Sequence, residues 1–390
     1  MRIAFLSPGS PETPAAWSGT PYFCLRALRA QFETVVPVQS PAMQRLQRAL
    51  RRAGSRLRTD PAREPAFGRL YALALRRQLD RLRPDAVFGL ASTTQLAGLV
   101  GDYPVVHCSD ATFRGMCGYY PDWFSGLSPR SVRNGEAMER RVILGAALAL
   151  YPSDWAAASA RDDYGAPAER VHTVPFGANL ADPPARDPFR RDGVCRLLFV
   201  GVDWARKGGD LALAVLRGLT AAGVAAELHV VGCTPPPEAA AVPGLVAHGF
   251  LSKGDPDQVR RLQDLFARAA FLIVPSRQEA YGLVFCEAGA YGLPSLATET
   301  GGIPTIVRPG VNGFLFAPEA GPGPYVEAVR EHWSSPDAYA RLRESTLARA
   351  RAVLTWDAWG ERSAGLIRRA ARPTPAPAAA RLAPAAEGAR

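Results

Sequence analysis

The sequence contains very little lysine: Lys207 and Lys253 are its two lysines, among 46 lysine and arginine residues. Its six cysteines are scattered, with no CxxC and no His/Cys ligand spacing, which indicates reduced thiols and argues against structural zinc. It also lacks an apolar run long enough to span a bilayer. The start, MRIAFLSPGS, lacks the long apolar segment of a signal peptide, so we expect a cytoplasmic protein.

The formal net charge of +10 is typical of proteins with anionic partners. The segment Met43–Arg58 holds six arginines and no acidic residue, and Met43, Leu46 and Leu50 recur at helical spacing, which predicts a basic amphipathic helix. Such a helix is either a solvated surface helix, the commoner case, or a peripheral docking site on the anionic inner face of a membrane. Nucleic-acid binding is not expected, because no aromatic-basic module accompanies the charge.

Strand and helix patterns alternate along both halves of the chain. Apolar runs such as RIAFLS, DAVFGL and LALYPS are separated by amphipathic stretches, and the pattern restarts at CRLLFVGVD after a proline-rich stretch. This predicts an α/β protein with two doubly wound, Rossmann-like domains. We place the domains at 1–180 and 194–355, the linker at 181–193, a C-terminal helix at 356–371, and a disordered tail at 372–390.

Three loops of the second domain follow predicted strands, and ligands bind beyond the carboxyl ends of parallel strands. The first loop, WARKGGD, places Arg206 and Lys207 beside flexible glycines, an arrangement suited to a diphosphate. The alternative is an exposed basic turn, because a lone basic turn is unspecific. The scarcity of lysine favours a specific role for Lys207 over a casual surface charge.

The second loop, SRQEAYG, precedes the predicted helix LVFCEAGAYG. Amides at Gly282 and Leu283 have no helical acceptor there and form an anion site. Glu279 in the loop can face ligand hydroxyls. Glu287 lies in an apolar helix segment where an unpaired carboxylate is costly, so a sugar diol is a suitable partner. In the third loop, TETGGIPTIV, the amides of residues 301–302 offer another anion site.

The stretch PSRQEAYGLVFCEAGAYGLPSLATETGGIPTIVRPGVNGFLF closely resembles the donor-binding signature of family 4 retaining glycosyltransferases. Their fold is GT-B, in which two Rossmann-like domains face each other across a cleft. Glu279 and Glu287 match the family's E-x7-E pair. YPSDWAAASARDDYGAPAERVHTVPFGA is similar to the segment that closes the family's first domain, and TWDAWGER resembles the start of its C-terminal helix.

The resemblance implies that Glu279 contacts the donor sugar, Glu287 contacts the ribose, and Lys207 binds phosphate. Val202 stands where many members have an arginine, and Arg206 is the neighbouring candidate for that charge. The residues assigned to donor binding are Gly19, Gly201, Gly282, Leu283, Val284, Glu287, Gly301 and Gly302.

The residues assigned to catalysis are His107, Asp110, Arg206, Lys207 and Glu279. In many family members a histidine ends the strand that is YPVVHCSD here, so His107 is the candidate, while Asp110 could hold the equivalent place. In the first loop, WSGTPYF, the single Gly19 replaces the usual glycine pair.

The resemblance implies a retaining hexosyltransferase that uses a nucleotide sugar and a glycan, lipid-linked or small-molecule acceptor, without a cofactor. DPD at 255–257 looks like the metal-binding triplet of another glycosyltransferase class, but acids at a predicted helix start act as caps. We therefore expect no essential metal. The alternatives are a GT-B nucleotide-sugar epimerase and a non-catalytic nucleotide-sugar-binding protein.

Overall fold

The computed structural model of this chain describes residues 1–14, 16–56 and 58–371, so the predicted tail at 372–390 lies outside the described residues. The first half forms a six-stranded parallel sheet with the strand order β2-β1-β3-β4-β5-β6. Its strands are β1 (Arg2–Leu6), β2 (Thr34–Pro37), β3 (Ala86–Leu90), β4 (Val105–Cys108), β5 (Leu148–Tyr151) and β6 (Val171–Thr173). The α-helices of this half are α1 (Thr20–Gln31), α2 (Pro41–Arg56), α3 (Pro65–Leu82), α4 (Thr93–Leu96), α5 (Phe113–Tyr119), α6 (Pro121–Phe124), α7 (Pro129–Gly145) and α8 (Asp154–Asp162).

The second half forms another six-stranded parallel sheet, with the order β12-β11-β10-β7-β8-β9. Its strands are β7 (Cys195–Val200), β8 (Ala226–Val231), β9 (Leu245–Gly249), β10 (Phe271–Val274), β11 (Ser295–Thr298) and β12 (Gly313–Phe316). The α-helices that follow β7 are α9 (Gly209–Ala221), α10 (Pro237–Ala240), α11 (Pro256–Arg268), α12 (Leu283–Ala290), α13 (Ile303–Ile306), α14 (Pro322–Ser334), α15 (Pro336–Val353) and α16 (Trp356–Ala370). The expected α/β architecture with two parallel sheets is confirmed. We call the two halves the first unit and the second unit.

The central strands are apolar along their whole length because helices cover both faces of each sheet. All four residues of β10, FLIV, are buried, and so are all five residues of β3, AVFGL. A strand with one face in water would alternate apolar and polar residues instead. The polar residues therefore accumulate in the loops at the strand ends, where a ligand can reach them.

Over the residues that the structure describes, the chain crosses between the two units twice, and the two crossings lie side by side. Residues 174–194 contain no helix or strand, and the second crossing lies between α15 and α16. The amide of Ala178 donates to the carbonyl of Leu354 at 3.0 Å, which joins the two crossings. Asn179 donates to the carbonyl of Ser18 at 3.0 Å and accepts from the Trp356 indole at 2.9 Å. The exact domain boundaries stay a prediction.

Both crossings are fastened to the units that they join. Helix α16 packs against α1 of the first unit, and its Trp359, 1% exposed, meets the Phe88 ring edge-on at 6.0 Å. Arg343 of α15 is 3% exposed and donates to both carboxylate oxygens of Asp187 at 2.7 Å. The contact between Trp359 and Phe88 ties the C-terminal helix to the first unit. The ion pair between Arg343 and Asp187 ties the segment before β7 to the second unit.

Helix α2 coincides with the basic segment, but its apolar side is largely used for packing. Met43 is 7% exposed and lies in the core of the first unit, and Leu50 packs partly buried against the same core. Leu46 is 40% exposed, and Arg45 and Arg48 are exposed. Met43 and Leu50 therefore attach α2 to the first unit, and of the three apolar residues Leu46 is the one that is exposed.

Across the described residues, none of the helices combines the length and the hydropathy that a membrane span requires.

Candidate functional site

A cavity of about 620 Å³ lies between the carboxyl ends of the two sheets. The first unit contributes Trp17, Ser18 and Asp110 to its wall, among other residues. The residues of the second unit that the sequence singled out and that line the cavity are Gly201, Arg206, Lys207, Glu279, Gly282, Leu283, Val284 and Glu287. Loops that follow different strands thus meet at one place, as expected for parallel sheets.

Each of the two lysines of the chain pairs with one of the two glutamates on the cavity wall. Lys207 Nζ donates to Glu279 Oε2, and these side chains are 11% and 12% exposed. Lys253 Nζ donates to Glu287 Oε1. Burial raises the pKa of the Glu287 carboxyl, and the ammonium of Lys253 opposes that shift. Lys253 was not among the predicted site residues, although the scarcity of lysine in the sequence applied to it as much as to Lys207.

The start of α12 presents backbone amides to the cavity. Gly282 precedes the helix with φ of 102°, and a side chain at this position would meet the Phe285 ring at 2.6 Å. Within the described residues, no side chain caps this helix start. Because the first amides of a helix have no intrahelical acceptor, those at Leu283 and Val284 are suited to an anion such as a phosphate.

The loop that carries Glu279 is fixed through its backbone by other parts of the second unit. Arg206 Nη1 donates to the carbonyl of Gln278 at 3.1 Å, and the amide of Arg277 donates to the carbonyl of Arg206 at 2.8 Å. Arg206 Nε also lies 3.6 Å from a carboxylate oxygen of Asp203. Arg206 therefore supports the loop in addition to lining the cavity.

Gly301 and Gly302 do not line the cavity; they lie behind Glu279. The amide of Gly302 donates to the carbonyl of Glu279 at 3.1 Å, so it is already engaged. A side chain at Gly301 would collide with that same carbonyl, and one at Gly302 would collide with the carbonyl of Ala280. These glycines allow two loops to approach closely, and the amide of Gly302 is not free to bind an anion.

The structure separates the two candidate residues at the end of β4. His107 is fully buried inside the first unit and does not line the cavity; its Nε2 lies 3.7 Å from Glu139 Oε1, and its ring meets Tyr151 edge-on. Burial lowers its pKa. Asp110 lies three residues further on, beyond the strand end, and does line the cavity. Burial and the negative charge of Glu279 raise the pKa of the Asp110 carboxyl to about 6.

The glycine-rich first loop reaches the cavity through the residues before its glycine. Gly19 is buried with φ of 95° and precedes α1, but it does not line the cavity. Trp17 and Ser18 do, and they have φ of 45° and 54°. Residues with side chains adopt such values rarely, and they often do so at binding sites.

Two tyrosines of the first unit that the sequence analysis missed contact the Glu279 loop. The amide of Glu279 donates to the hydroxyl of Tyr119 at 3.0 Å, and the amide of Ala280 donates to the hydroxyl of Tyr120 at 2.8 Å. The contacting residues are 160 positions apart in the chain, and GYYPDWF matches no motif, so the sequence carried no signal for them.

The DPD triplet caps a helix. Asp255 precedes α11 and accepts from the amides of Asp257 and Gln258 at 2.9 and 3.3 Å, and these bonds lower the pKa of its carboxyl. Asp257 pairs with Arg260. Among the described residues, no three histidine, cysteine or acidic side chains are grouped in a way that could hold a metal ion.

Two family models match most of the chain. Residues 195–335 match the model described as Glycosyl transferases group 1, and residues 24–177 match the model described as Glycosyl transferase 4-like domain. The chain belongs to the group 1, family 4-like glycosyltransferases. The resemblance that the sequence motifs indicated is confirmed.

The curated relatives of this glycosyltransferase family match over part of their length. A D-inositol 3-phosphate glycosyltransferase of Catenulispora acidiphila is 35% identical over 205 residues, which are 48% of this chain and 49% of the relative. A protein of the same name from Thermobispora bispora is 32% identical, over 52% of this chain and 51% of the relative. The chain thus spans about half the length of these relatives.

Solved structures match the chain over nearly its whole length. A glycosyltransferase of Rickettsia africae has a TM-score of 0.67 at 12% identity and covers 96% of this chain and 99% of its own. HepE of Anabaena, in complex with UDP and glucose, has a TM-score of 0.60 at 16% identity and covers 94% and 99%. At these identities the likeness shows the fold alone, and that fold is GT-B.

The raised pKa of Asp110 predicts a pH-dependent stability difference for Asp110→Asn. A carboxyl whose pKa rises on folding lowers the stability as it ionises, so the wild type loses stability as the pH rises from about 3.8 to about 6. The variant lacks this loss. We expect its Tm to exceed that of the wild type by a few degrees at pH 8 and to match it at pH 4, as measured by scanning fluorimetry.

The matched control is Asp162→Asn, which changes an exposed carboxylate on α8. It should show no difference that depends on pH. An Asp110→Asn protein that is no more stable than the wild type at pH 8 would contradict the placement of this carboxyl beside Glu279.

Proposed function

We propose that the chain transfers a hexose from a nucleotide sugar to an acceptor hydroxyl, with retention of the anomeric configuration. The observation that carries this proposal is the meeting of three features on one cavity wall: the ammonium of Lys207, the carboxylate of Glu279 and the uncapped start of α12. Cations and helix amides suit a diphosphate, and carboxylates suit sugar hydroxyls.

The two lysine–glutamate pairs suggest how the donor binds. In this proposal the diphosphate attracts the ammonium of Lys207 and the amides of α12, and Glu279 accepts hydrogen bonds from the hydroxyls of the donor sugar. Glu287 accepts from the ribose hydroxyls beside Lys253. Each carboxylate already has a cation next to it before the ligand arrives, since Lys207 pairs with Glu279 and Lys253 pairs with Glu287.

The reaction breaks the bond between the anomeric carbon and the diphosphate oxygen, and it forms a bond from that carbon to the acceptor oxygen on the same face. The proton of the acceptor hydroxyl passes to the departing phosphate oxygen. Lys207, with Arg206 and the helix amides, stabilises the charge that grows on the leaving group, a contribution that often dominates catalysis. Asp110, on the first-unit wall of the cavity, is positioned to accept a hydrogen bond from a hydroxyl in the cleft.

The donor and acceptor can be sought with two probes that the comparisons suggest. UDP-glucose is the first donor to test because solved structures of HepE contain UDP-glucose, and inositol phosphate is the first acceptor because of the names of the curated relatives. Thermal shift across UDP-, GDP- and ADP-sugars identifies the donor, since a ligand that binds the folded state raises its stability. Labelled donor then separates transfer from acceptor-free isomerisation, which indicates an epimerase, and from binding alone.

Lys207→Ala is expected to lower the turnover number by about a hundredfold or more, because it removes a preorganised charge from the leaving group. The variant also leaves Glu279 without its cation, so we expect a small fall in Tm. This fall should leave the protein folded at the assay temperature, so that unfolding does not account for the lower turnover number. Initial rates at saturating donor check the first effect, and scanning fluorimetry checks the second.

The control is Arg217→Ala, which removes an exposed cation from α9 of the same unit and should leave both quantities unchanged. Near-normal turnover in Lys207→Ala would remove Lys207 from the diphosphate site.

We also propose that the reaction needs no divalent metal. Protein cations and helix amides serve the phosphates, so we expect full activity after dialysis against EDTA. Activity is measured before and after chelation, and again with added magnesium or manganese. A loss of activity on chelation that is reversed by either metal would contradict the proposal. The acids at 255–257 would then be the candidate metal ligands.

The membrane proposal concerns α2. Its exposed arginines and Leu46 point to a weak, electrostatic contact with an anionic membrane, which would suit a lipid-linked acceptor; the alternative is a solvated helix. Arginines near an anionic surface contribute about 1 kcal/mol each. Because Met43 and Leu50 are occupied in packing, little apolar surface remains to insert.

We expect the protein to sediment with anionic liposomes at low salt and to be released as the salt concentration rises. The double variant Arg45→Glu/Arg48→Glu should lose this binding. The control Arg217→Glu/Arg330→Glu makes the same change in net charge at exposed positions of the second unit and should keep it. Equal binding to neutral and anionic liposomes, or none, would exclude this contact.

A further inference from the structure

Tyr119 and Tyr120 connect the first unit to the backbone of the loop that carries Glu279. Tyr119 ends α5, and Tyr120 follows it. Their hydroxyls accept from two consecutive amides of the second unit, those of Glu279 and Ala280, at 3.0 and 2.8 Å. Two adjacent tyrosines thus satisfy two adjacent backbone donors beside the cavity.

These two bonds complete the set that fixes the loop. Within the second unit, the loop is bonded at Arg277 N, Gln278 O and Glu279 O, through Arg206 and Gly302. None of those bonds engages the amide of Glu279 or of Ala280. The loop is therefore fixed on one side by its own unit and on the other side by the tyrosines.

The tyrosine rings are held by aromatic neighbours in the first unit. Tyr119 lies against the Trp155 ring, with centroids 5.0 Å apart, and Tyr120 stacks on Trp123 at 4.6 Å and an angle of 13°. Since the Tyr119 oxygen accepts from the amide, its own proton is available to Thr300 Oγ1, 2.5 Å away in the second unit. These ring contacts orient the two hydroxyls toward the second unit.

A small buried cluster seals the same contact. Ala111, Tyr120 and Ala280 are each less than 9% exposed and pack together across the two units. Ala111 follows Asp110, so the contact that seats the Glu279 loop lies next to the residue that the first unit presents to the cavity. Closure of the units and completion of the cavity wall therefore coincide.

We propose that Tyr119 and Tyr120 are positioning residues that hold Glu279 in place when the two units are closed on each other. The role of Glu279 toward the donor sugar rests on the function proposed above. When the units separate, the amides of Glu279 and Ala280 lose their acceptors, and the carboxylate is no longer fixed from the first unit. The sugar pocket is then complete in the closed state, and the diphosphate site of the second unit exists in both states.

The kinetic test uses the double variant Tyr119→Phe/Tyr120→Phe in the full chain, which keeps the rings and removes the two accepting oxygens. With UDP-glucose, or the sugar nucleotide that the donor screen selects, kcat should fall by about tenfold or more, since each lost bond leaves an amide unpaired. The dissociation constant of the nucleoside diphosphate alone should change by less than about twofold. If the tyrosines had a purely structural role, the double variant would lower both kcat and the affinity for the nucleoside diphosphate. An unchanged kcat would also overturn the proposal.

The matched control is Tyr164→Phe. The Tyr164 hydroxyl accepts from the amide of Arg114 at 3.0 Å, so the variant deletes the same type of bond, but within the first unit. It should leave kcat and nucleotide affinity unchanged. A fall equal to that of the double variant would show that the loss is general rather than specific to the contact between the units.

Hydrogen exchange tests the contact without any substrate. In the wild type, peptides covering 277–282 should exchange slowly, and in the double variant their amides should exchange about tenfold faster or more, while peptides from β10 stay unchanged. Unchanged exchange overturns the proposal whatever the enzyme does. Faster exchange in a protein that turns over no nucleotide sugar would keep the contact and reject the proposed function instead.

Discussion

The pairing of each cavity glutamate with a lysine is the interaction on which the second-unit side of the site depends. Burial raises the pKa of the Glu287 carboxyl, and the ammonium of Lys253 opposes that rise, which favours the ionised form that accepts from a diol. Lys207 pairs with Glu279 on the same cavity wall. The charges of the cavity are thus in place before a ligand binds, which limits the reorganisation needed during a reaction.

Close backbone approach is the second constraint, and it explains several glycines that never touch the cavity. Gly208 follows Lys207 with φ of 78°, where a side chain would collide with the carbonyl of Pro275 at the end of β10. A side chain at Gly301 would likewise collide with the carbonyl of Glu279. These positions bring three loops within hydrogen-bonding distance of one another. They support the Lys207–Glu279 pair from behind and do not line the cavity.

The sequence alone predicted the architecture because its signals are local. Continuous apolar strands such as FLIV, alternating with amphipathic helices, indicate parallel sheets wherever they occur, and both sheets are present. The placement of Lys207, Glu279 and Gly282 on one wall could also be anticipated, because each follows a strand whose carboxyl end lies at the same sheet edge. In these cases the sequence neighbours of a residue determine where it lies.

The residues that could not be anticipated depend on contacts between distant segments. Tyr119 and Tyr120 meet a loop 160 positions away, and the pairing of Lys253 with Glu287 spans 34 positions, so no spacing in the sequence encodes them. Between His107 and Asp110, the choice depended on where β4 ends, which a pattern of apolar residues cannot locate to within three residues. The outward direction of Leu46 was likewise decided by which side of α2 meets the core.

The paired crossings between the units have a consequence for how the chain responds to cleavage. A protease that cuts within 181–193 would sever one covalent connection, but the C-terminal fragment would still carry α16, whose Trp359 is buried against the first unit. Asp187 would also remain bound to Arg343 on whichever fragment it lies. The two fragments would stay associated without a covalent bond between them, so a nicked protein should migrate in gel filtration as an intact one.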